Sequence, residues 1–96
     1  MSKGEGMQLY THHDIQHQIA RKIKAVRKQQ KLTQKEMSER SDIPLSTYAR
    51  IEQLGEGSLK DFSKILVTLN RADEIEKILN IADPTPLEVY EKMKRT

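Results

Sequence analysis

Four residues near the middle of the chain have the side chains and the spacing to read nucleic-acid bases. They follow one another at positions i, i+1, i+4 and i+5, and they are Leu45, Ser46, Ala49 and Arg50. On an α-helix this spacing puts all four on the same side. A guanidinium can donate two parallel hydrogen bonds to a guanine, and a hydroxyl can donate to a base or a phosphate. The pattern therefore predicts a helix whose exposed side contacts base edges.

The surrounding sequence predicts the elements that would position this helix. Residues 34–41 have the pattern of a short amphipathic helix, residues 42–44 form a tight turn, and residues 45–53 form the second helix. The apolar positions of this unit would pack the two helices against each other and against a preceding helix; they are Met37, Ile43, Tyr48 and Ile51. Two short helices joined in this way are typical of a helix-turn-helix, whose second helix enters the major groove of DNA.

Residues at the start of the first of these helices could bind the DNA backbone. Thr33 and Glu36 have the spacing of a capping box, so the helix is expected to begin at Gln34. A helix N-terminus offers free N–H groups and a positive dipole end to a phosphate. We therefore expect Thr33 and Gln34 to face phosphates. Thr47 can donate to a phosphate, and Lys24 and Lys28 either reach phosphates or are simply solvated.

Helices are also predicted before and after this unit. A capping box at Thr11 opens a helix reaching about Gln30, with an apolar stripe at Ile15, Ile19, Ile23 and Val26. Another begins at Ser58 and has its core residues at Leu59, Phe62, Ile65, Leu66 and Leu69. A short fifth helix should carry Ile75, Ile78 and Leu79. The tail then begins a sixth with Thr85 and Pro86, which could pack on the core or serve a partner.

Composition restricts the class of protein. The net charge is +3, and residues 20–60 carry ten Lys and Arg against five Asp and Glu, which places the basic excess on the predicted DNA-binding unit. The chain has no Cys and no apolar run long enough for a membrane span, so a cytoplasmic location is expected. His13 and His17 are four apart but have no third ligand at suitable spacing. No cofactor, metal site or catalytic constellation is predicted, so an enzyme is not expected.

The stretch LTQKEMSERSDIPLSTYARIE resembles the helix-turn-helix of the Cro/C1 (XRE) family of repressors. The resemblance covers residues 15–69. It implies that Thr33 and Gln34 contact phosphates, and that bases are contacted by Leu45, Ser46 and Arg50. It further implies an ion pair between Arg27 and Glu52. The chain departs from the family pattern at Asp42, where Gly is usual, at Pro44, where a capping Ser or Thr is usual, and at Ser41, which replaces an apolar residue.

The approach to the first helix and the second half of the chain resemble antitoxins of the HipB type, through residues 7–10, DFSKIL and the tail ADEIEKILNIADPTPLEVYEKMKR. This resemblance implies a repressor of its own operon that also binds a HipA-like kinase toxin. The alternative is a stand-alone XRE repressor with no toxin partner. In both cases we expect a homodimer that presents two recognition helices to an inverted-repeat operator.

The predicted fold is all-α: a compact five-helix domain of the Cro/C1 (lambda repressor-like) type with a sixth, C-terminal helix. We predict three segments. Residues 1–10 form a flexible or short extended segment, residues 11–82 form the DNA-binding domain, and residues 83–96 form the helical tail.

Overall fold

A computed structural model describes residues 10–80 and 86–95 of the chain. Every regular element in this part of the chain is helical, which confirms the predicted all-α class. The order of elements is α1 (His12–Gln29), α2 (Gln34–Ser41), α3 (Leu45–Leu54), α4 (Leu59–Thr68), a 3₁₀ helix (Ala72–Lys77) and α5 (Pro86–Arg95). The helix-turn-helix consists of α2 and α3.

The first two helices begin where their capping boxes predict. The Thr11 hydroxyl accepts a hydrogen bond from the Asp14 amide, and the Asp14 carboxylate accepts one from the Thr11 amide. Thr33 and Glu36 make the same reciprocal pair at 3.0 and 2.8 Å. The predicted start of α4 at Ser58 is also confirmed, because the Ser58 hydroxyl accepts a hydrogen bond from the Asp61 amide at 3.0 Å. These helix starts depend on residues three positions apart, so they are local properties of the sequence.

The turn between α2 and α3 and the residue before it accommodate all three departures from the family pattern. Asp42 has the left-handed conformation that usually favours Gly, with φ 58° and ψ 46°. Pro44 precedes α3 and provides no side-chain cap, while its carbonyl accepts the first intrahelical bond from the Tyr48 amide at 2.9 Å. Ser41 is buried and its hydroxyl donates to the Met37 carbonyl at 2.6 Å. Helix α3 therefore begins at Leu45 without a side-chain cap.

The core is built around the helix-turn-helix. Its most deeply buried side chains are those of Tyr48, Met37, Ile43 and Ile65, each at most 2% exposed. Helix α1 packs against α3, and α2 packs against both α3 and α4. Three of the four apolar residues predicted to join the two short helices belong to this group, and the fourth, Ile51, is buried beside them. The core therefore fixes one side of α3 and leaves the other side free.

Two residues predicted to be in the core are exposed. Ile15 is 47% exposed and Leu59 is 76% exposed, so the apolar stripes were assigned too far toward the N-termini of their helices. Both residues lie in the first turn of a helix, where no described element covers them. Of the other stripe residues, Ile23, Ile65 and Leu69 are buried as predicted, and Ile19, Val26 and Phe62 are half-buried against this core.

The chain after α4 is helical but less regular than predicted. The expected fifth helix is a 3₁₀ helix, and Ile75, Ile78 and Leu79 are exposed in and after it. Helix α5 begins at Pro86, as the predicted sixth helix should, and its Tyr90 ring lies 5.5 Å from the Lys94 ammonium. Three predictions concern residues outside the described ranges. They are the cap at Thr85, the boundary between residues 82 and 83, and nearly all of the segment 1–10.

Candidate nucleic-acid interface

The four residues predicted to read bases lie together on the free side of α3. Leu45, Ser46 and Arg50 are exposed, and Ala49 is half-buried between them. The residues on the opposite side of the same helix are buried, and they are Tyr48, Ile51 and Glu52. One side of α3 is therefore anchored in the protein while the other is available to a ligand.

The free side of α3 consists of two parallel strips with different chemistry. Residues four apart on an α-helix lie about 40° from each other around its axis, and adjacent residues lie about 100° apart. Leu45 and Ala49 therefore form an apolar strip, and Ser46 and Arg50 form a polar strip beside it. The polar strip borders an open depression of about 490 Å³, lined by Ser46, Thr47, Arg50, Glu56, Gly57, Ser58 and Asp61.

A buried ion pair ties α3 to α1. Arg27 Nε lies 2.6 Å from Glu52 Oε2, and Arg27 Nη2 lies 3.1 Å from Glu52 Oε1, so the contact is bidentate. Arg27 Nη1 also donates to the Leu32 carbonyl at 2.7 Å, in the connection between α1 and α2. This is the pair that the family resemblance implies. Its role here is structural, because both side chains are buried behind the free side of α3.

Two further donors complete the surroundings of the Glu52 carboxylate. The Tyr48 hydroxyl donates to Oε2, and Gln34 Nε2 donates to Oε1 at 3.0 Å. Burial by itself would raise the pKa of Glu52, but the hydrogen bonds from Arg27, Tyr48 and Gln34 outweigh it, and the pKa is held below its usual value. Burial, together with the hydrogen bond to Glu52, raises the pKa of Tyr48. The tyrosine therefore remains a neutral donor beside an ionised carboxylate.

The sequence does not predict the links from Gln34 and Tyr48 to Glu52. Its patterns indicate a core position for Tyr48 and a phosphate contact for Gln34. The separation of four residues between Tyr48 and Glu52 was a usable signal, since such residues are neighbours on a helix. The contact from Gln34 had no comparable signal, because it joins two helices across 18 positions of sequence.

The predicted phosphate-binding residues lie at the start of α2 and on helices α1 and α3. Thr33 and Gln34 stand at the N-terminus of α2, where the Thr33 oxygen accepts a hydrogen bond from the Glu36 amide at 3.0 Å. Gln34 uses one of its two amide hydrogens on Glu52 and retains the other. Lys24 and Lys28 lie one turn apart on α1, both exposed, and among the described residues neither has an acidic partner. Thr47 is half-buried beside the polar strip of α3.

The loop after α3 is fixed against α1 by Gly55. This glycine has φ 72°, and a Cβ atom at its position would lie 2.5 Å from the Gln16 carbonyl oxygen. The Gln16 side chain in turn donates to the Gly55 carbonyl at 3.2 Å. Only a residue without a side chain fits this close approach, so Gly55 determines where the chain leaves α3.

In the described part of the chain, no group of three or more His, Cys, Asp or Glu is arranged to hold a metal ion, and His12, His13 and His17 are exposed. None of the helices in the described ranges combines the length and the apolar character required to cross a bilayer.

Helix α3 is anchored on one side and free on the other, and it follows a short helix and a tight turn. This arrangement defines a DNA-binding helix-turn-helix domain. A family model described as helix-turn-helix matches residues 23–74, more than half of the chain. The chain therefore belongs to this family of XRE-type DNA-binding transcription regulators. The comparisons with curated proteins and with solved structures found no match.

Proposed function

We propose that the protein is a homodimeric transcriptional repressor that places two α3 helices in the major groove of an inverted-repeat operator. The observation that carries this proposal is the arrangement around α3. One side is held by the core and by the Arg27–Glu52 pair, and the other exposes Leu45, Ser46 and Arg50. A rigidly held helix with exposed polar side chains is what base reading requires, because hydrogen bonds to base edges depend on fixed geometry.

The charge distribution supports binding to the DNA backbone. Residues 20–60 carry a net charge of +5, while the segments before and after them are each slightly acidic. Within the basic region, the proposed phosphate contacts are Thr33 and Gln34 at the start of α2, Thr47 on α3, and Lys24 and Lys28 on α1. Contacts of this kind fix the register of the protein on the duplex, and they make its affinity depend on salt.

The proposed dimer accounts for the apolar surface outside the reading face. Val67, Ile75, Ile78 and Leu79 are each more than half exposed at and after the end of α4. Exposed apolar residues gathered in one part of the chain are typical of protein–protein contact surfaces. A second copy would bring two recognition helices to half-sites about one helical turn apart.

We further propose that the partner of this repressor is a HipA-like kinase toxin and that the pair acts in the bacterial cytoplasm. The support is the resemblance of the second half and tail to HipB-type antitoxins, together with the exposure of Tyr90 and Met93 on α5. These side chains give the tail helix an apolar edge that a partner protein can cover. A stand-alone repressor would use the same DNA face without this partner.

Selection from a random DNA library tests the DNA-binding part of the proposal. The full-length chain is expected to enrich an inverted repeat whose half-sites are centred about 10 bp apart or a multiple of that distance. Enrichment of a single half-site would contradict the dimer. Failure to enrich any sequence would contradict base reading altogether.

Affinity purification from the native host tests the partner. The tagged chain is captured in buffer of about 300 mM salt with nuclease, which removes proteins held through DNA because phosphate contacts weaken steeply with salt. Mass spectrometry should then find a kinase-like protein in stoichiometric amount. Recovery of the chain alone would favour the stand-alone repressor.

A further inference from the structure

The two strips on α3 differ in what they can bind in a major groove. Leu45 is 46% exposed although it is apolar, and Ala49 lies one turn further along the same strip. Ser46 and Arg50 form the neighbouring strip, about 100° around the helix. The two strips must therefore face different bases when the helix lies in the groove.

We propose that Leu45 and Ala49 contact the 5-methyl groups of thymines while Arg50 binds a guanine within the same half-site. This inference rests on the proposed DNA-reading function of α3 and specifies which bases it selects. It assigns an apolar reading strip to the side of the helix nearest Glu52, and a polar one to the side nearest the depression before α4.

Thymine is the base that suits the apolar strip. Its 5-methyl group is the only methyl group that the four bases present in the major groove. Guanine and adenine place hydrogen-bonding groups there, which Leu45 or Ala49 would cover without pairing them, and cytosine has only a hydrogen at the corresponding carbon. A buried unpaired polar group costs free energy, whereas a methyl group against a leucine gains it.

Guanine suits the polar strip because of the charges around Arg50. The Arg50 guanidinium makes no hydrogen bond or ion pair with any described residue, so its N–H groups are available to a base. It borders a depression that also contains Glu56 and Asp61. Two carboxylates on the same depression disfavour a phosphate at the Arg50 guanidinium, and they act much less on the uncharged guanine with its N7 and O6 acceptors.

The experiment uses the duplex that the full-length chain selects from a random library, with single thymines of the half-site replaced by deoxyuridine. This replacement removes only the 5-methyl group. At the thymine facing Leu45 the affinity should fall about fourfold, the change expected for one methyl group at about 0.8 kcal/mol. Leu45→Ala should bind the thymine and uracil duplexes nearly equally.

Leu54→Ala is the matched control, since Leu54 is 44% exposed on the same helix but lies nine residues after Leu45, about 180° around the helix axis from it. This variant should discriminate thymine from uracil as the parent chain does. If uracil is tolerated at every position of the half-site, or if Leu45→Ala keeps the parent's discrimination, the assignment of the apolar strip is wrong. The proposed DNA-reading function would survive that result, because a duplex would still have been selected.

The guanine contact is tested in the same duplex with 7-deazaguanine, which lacks the N7 acceptor. Replacing the guanine that faces Arg50 should weaken binding of the parent chain about tenfold. This fold-change lies within the range of free energy expected for a bidentate contact between a side chain and a base. Arg50→Ala should lose this sensitivity. Unchanged affinity of the parent chain for every 7-deazaguanine duplex would overturn the assignment of Arg50 to guanine.

Discussion

Gln34 donates a hydrogen bond from Nε2 to Oε1 of Glu52 across 3.0 Å, and this bond joins the first residue of α2 to α3. The same carboxylate accepts hydrogen bonds from Arg27 of α1 and from Tyr48 one turn earlier on α3. One buried carboxylate therefore holds three helices together. Gln34 is also a proposed phosphate contact. The same residue would therefore help to position α3 and bind the DNA backbone.

Removal of the Glu52 carboxylate should destabilise the protein strongly. Glu52→Ala leaves the Arg27 guanidinium buried without its partner, a change that typically costs about 3–5 kcal/mol of unfolding free energy. Urea unfolding of the variant and the parent measures the difference. Glu39→Ala is the control, because Glu39 is an exposed carboxylate on α2, and it should change the free energy by no more than about 0.5 kcal/mol. An unfolding midpoint unchanged in Glu52→Ala would contradict the structural role of the pair.

Stability should also fall as the solution becomes acidic. The pKa of Glu52 is lower in the folded chain than in the unfolded chain, so the unfolded state binds its proton first as the pH falls. Glu52 therefore contributes its full stabilisation above about pH 4.3, the usual pKa of a glutamate. This stabilisation is lost as the pH falls through the lower pKa that Glu52 has in the folded chain. Thermal melting between pH 7 and pH 3 measures this loss.

Glu52→Gln should lessen the dependence of melting temperature on pH without abolishing it. Two other carboxylates also have a lowered pKa, because Asp14 and Glu36 each accept backbone and side-chain hydrogen bonds in their capping boxes. Their contributions remain in the variant. An identical acid response in Glu52→Gln and the parent would show that Glu52 titrates alike in the folded and unfolded states.

Replacement of Asp42 by Gly should stabilise the turn of the helix-turn-helix. Asp42 has a positive φ of 58°, which costs less for Gly than for any residue with a Cβ atom. We expect Asp42→Gly to gain about 0.5–1 kcal/mol. The control is Glu39→Gly within α2, which should lose about 1 kcal/mol because Gly is a poor helix former. Chemical denaturation of both variants measures the two effects, and a loss of stability in Asp42→Gly would contradict the argument.

Arg50 and Lys28 should differ in how they affect DNA binding. Arg50→Ala should lose about 1–3 kcal/mol on the selected operator and much less on random DNA, and it should relax one operator position. Lys28→Ala should weaken both kinds of DNA nearly equally and reduce the slope of log affinity against log salt by about one. Fluorescence anisotropy over a series of salt concentrations measures both. Equal losses on the two DNAs for Arg50→Ala would make Arg50 a phosphate contact.

Local patterns in the sequence predicted the helix-turn-helix accurately. The reciprocal caps at Thr11 and Thr33 place the starts of α1 and α2 at the predicted residues. Asp42 takes the left-handed conformation that its position in the turn requires. The free side of α3 could also be predicted, because the buried positions Tyr48 and Ile51 determine which side of the helix remains. All these features depend on residues within one or two helical turns of each other.

Features that join distant parts of the chain could not be predicted in the same way. Helical periodicity indicates which side of a helix is apolar, but it does not show how far a neighbouring helix extends over that side, so Ile15 and Leu59 were placed in the core although both are exposed. The contact between Gln34 and Glu52 and the approach of Gly55 to Gln16 likewise depend on how the helices pack. The sequence by itself determined the main helices and the chemistry of the free side of α3, because these are properties of short segments. Only the tertiary structure decided which side chains hold α3 in place, because those contacts form when separate helices meet.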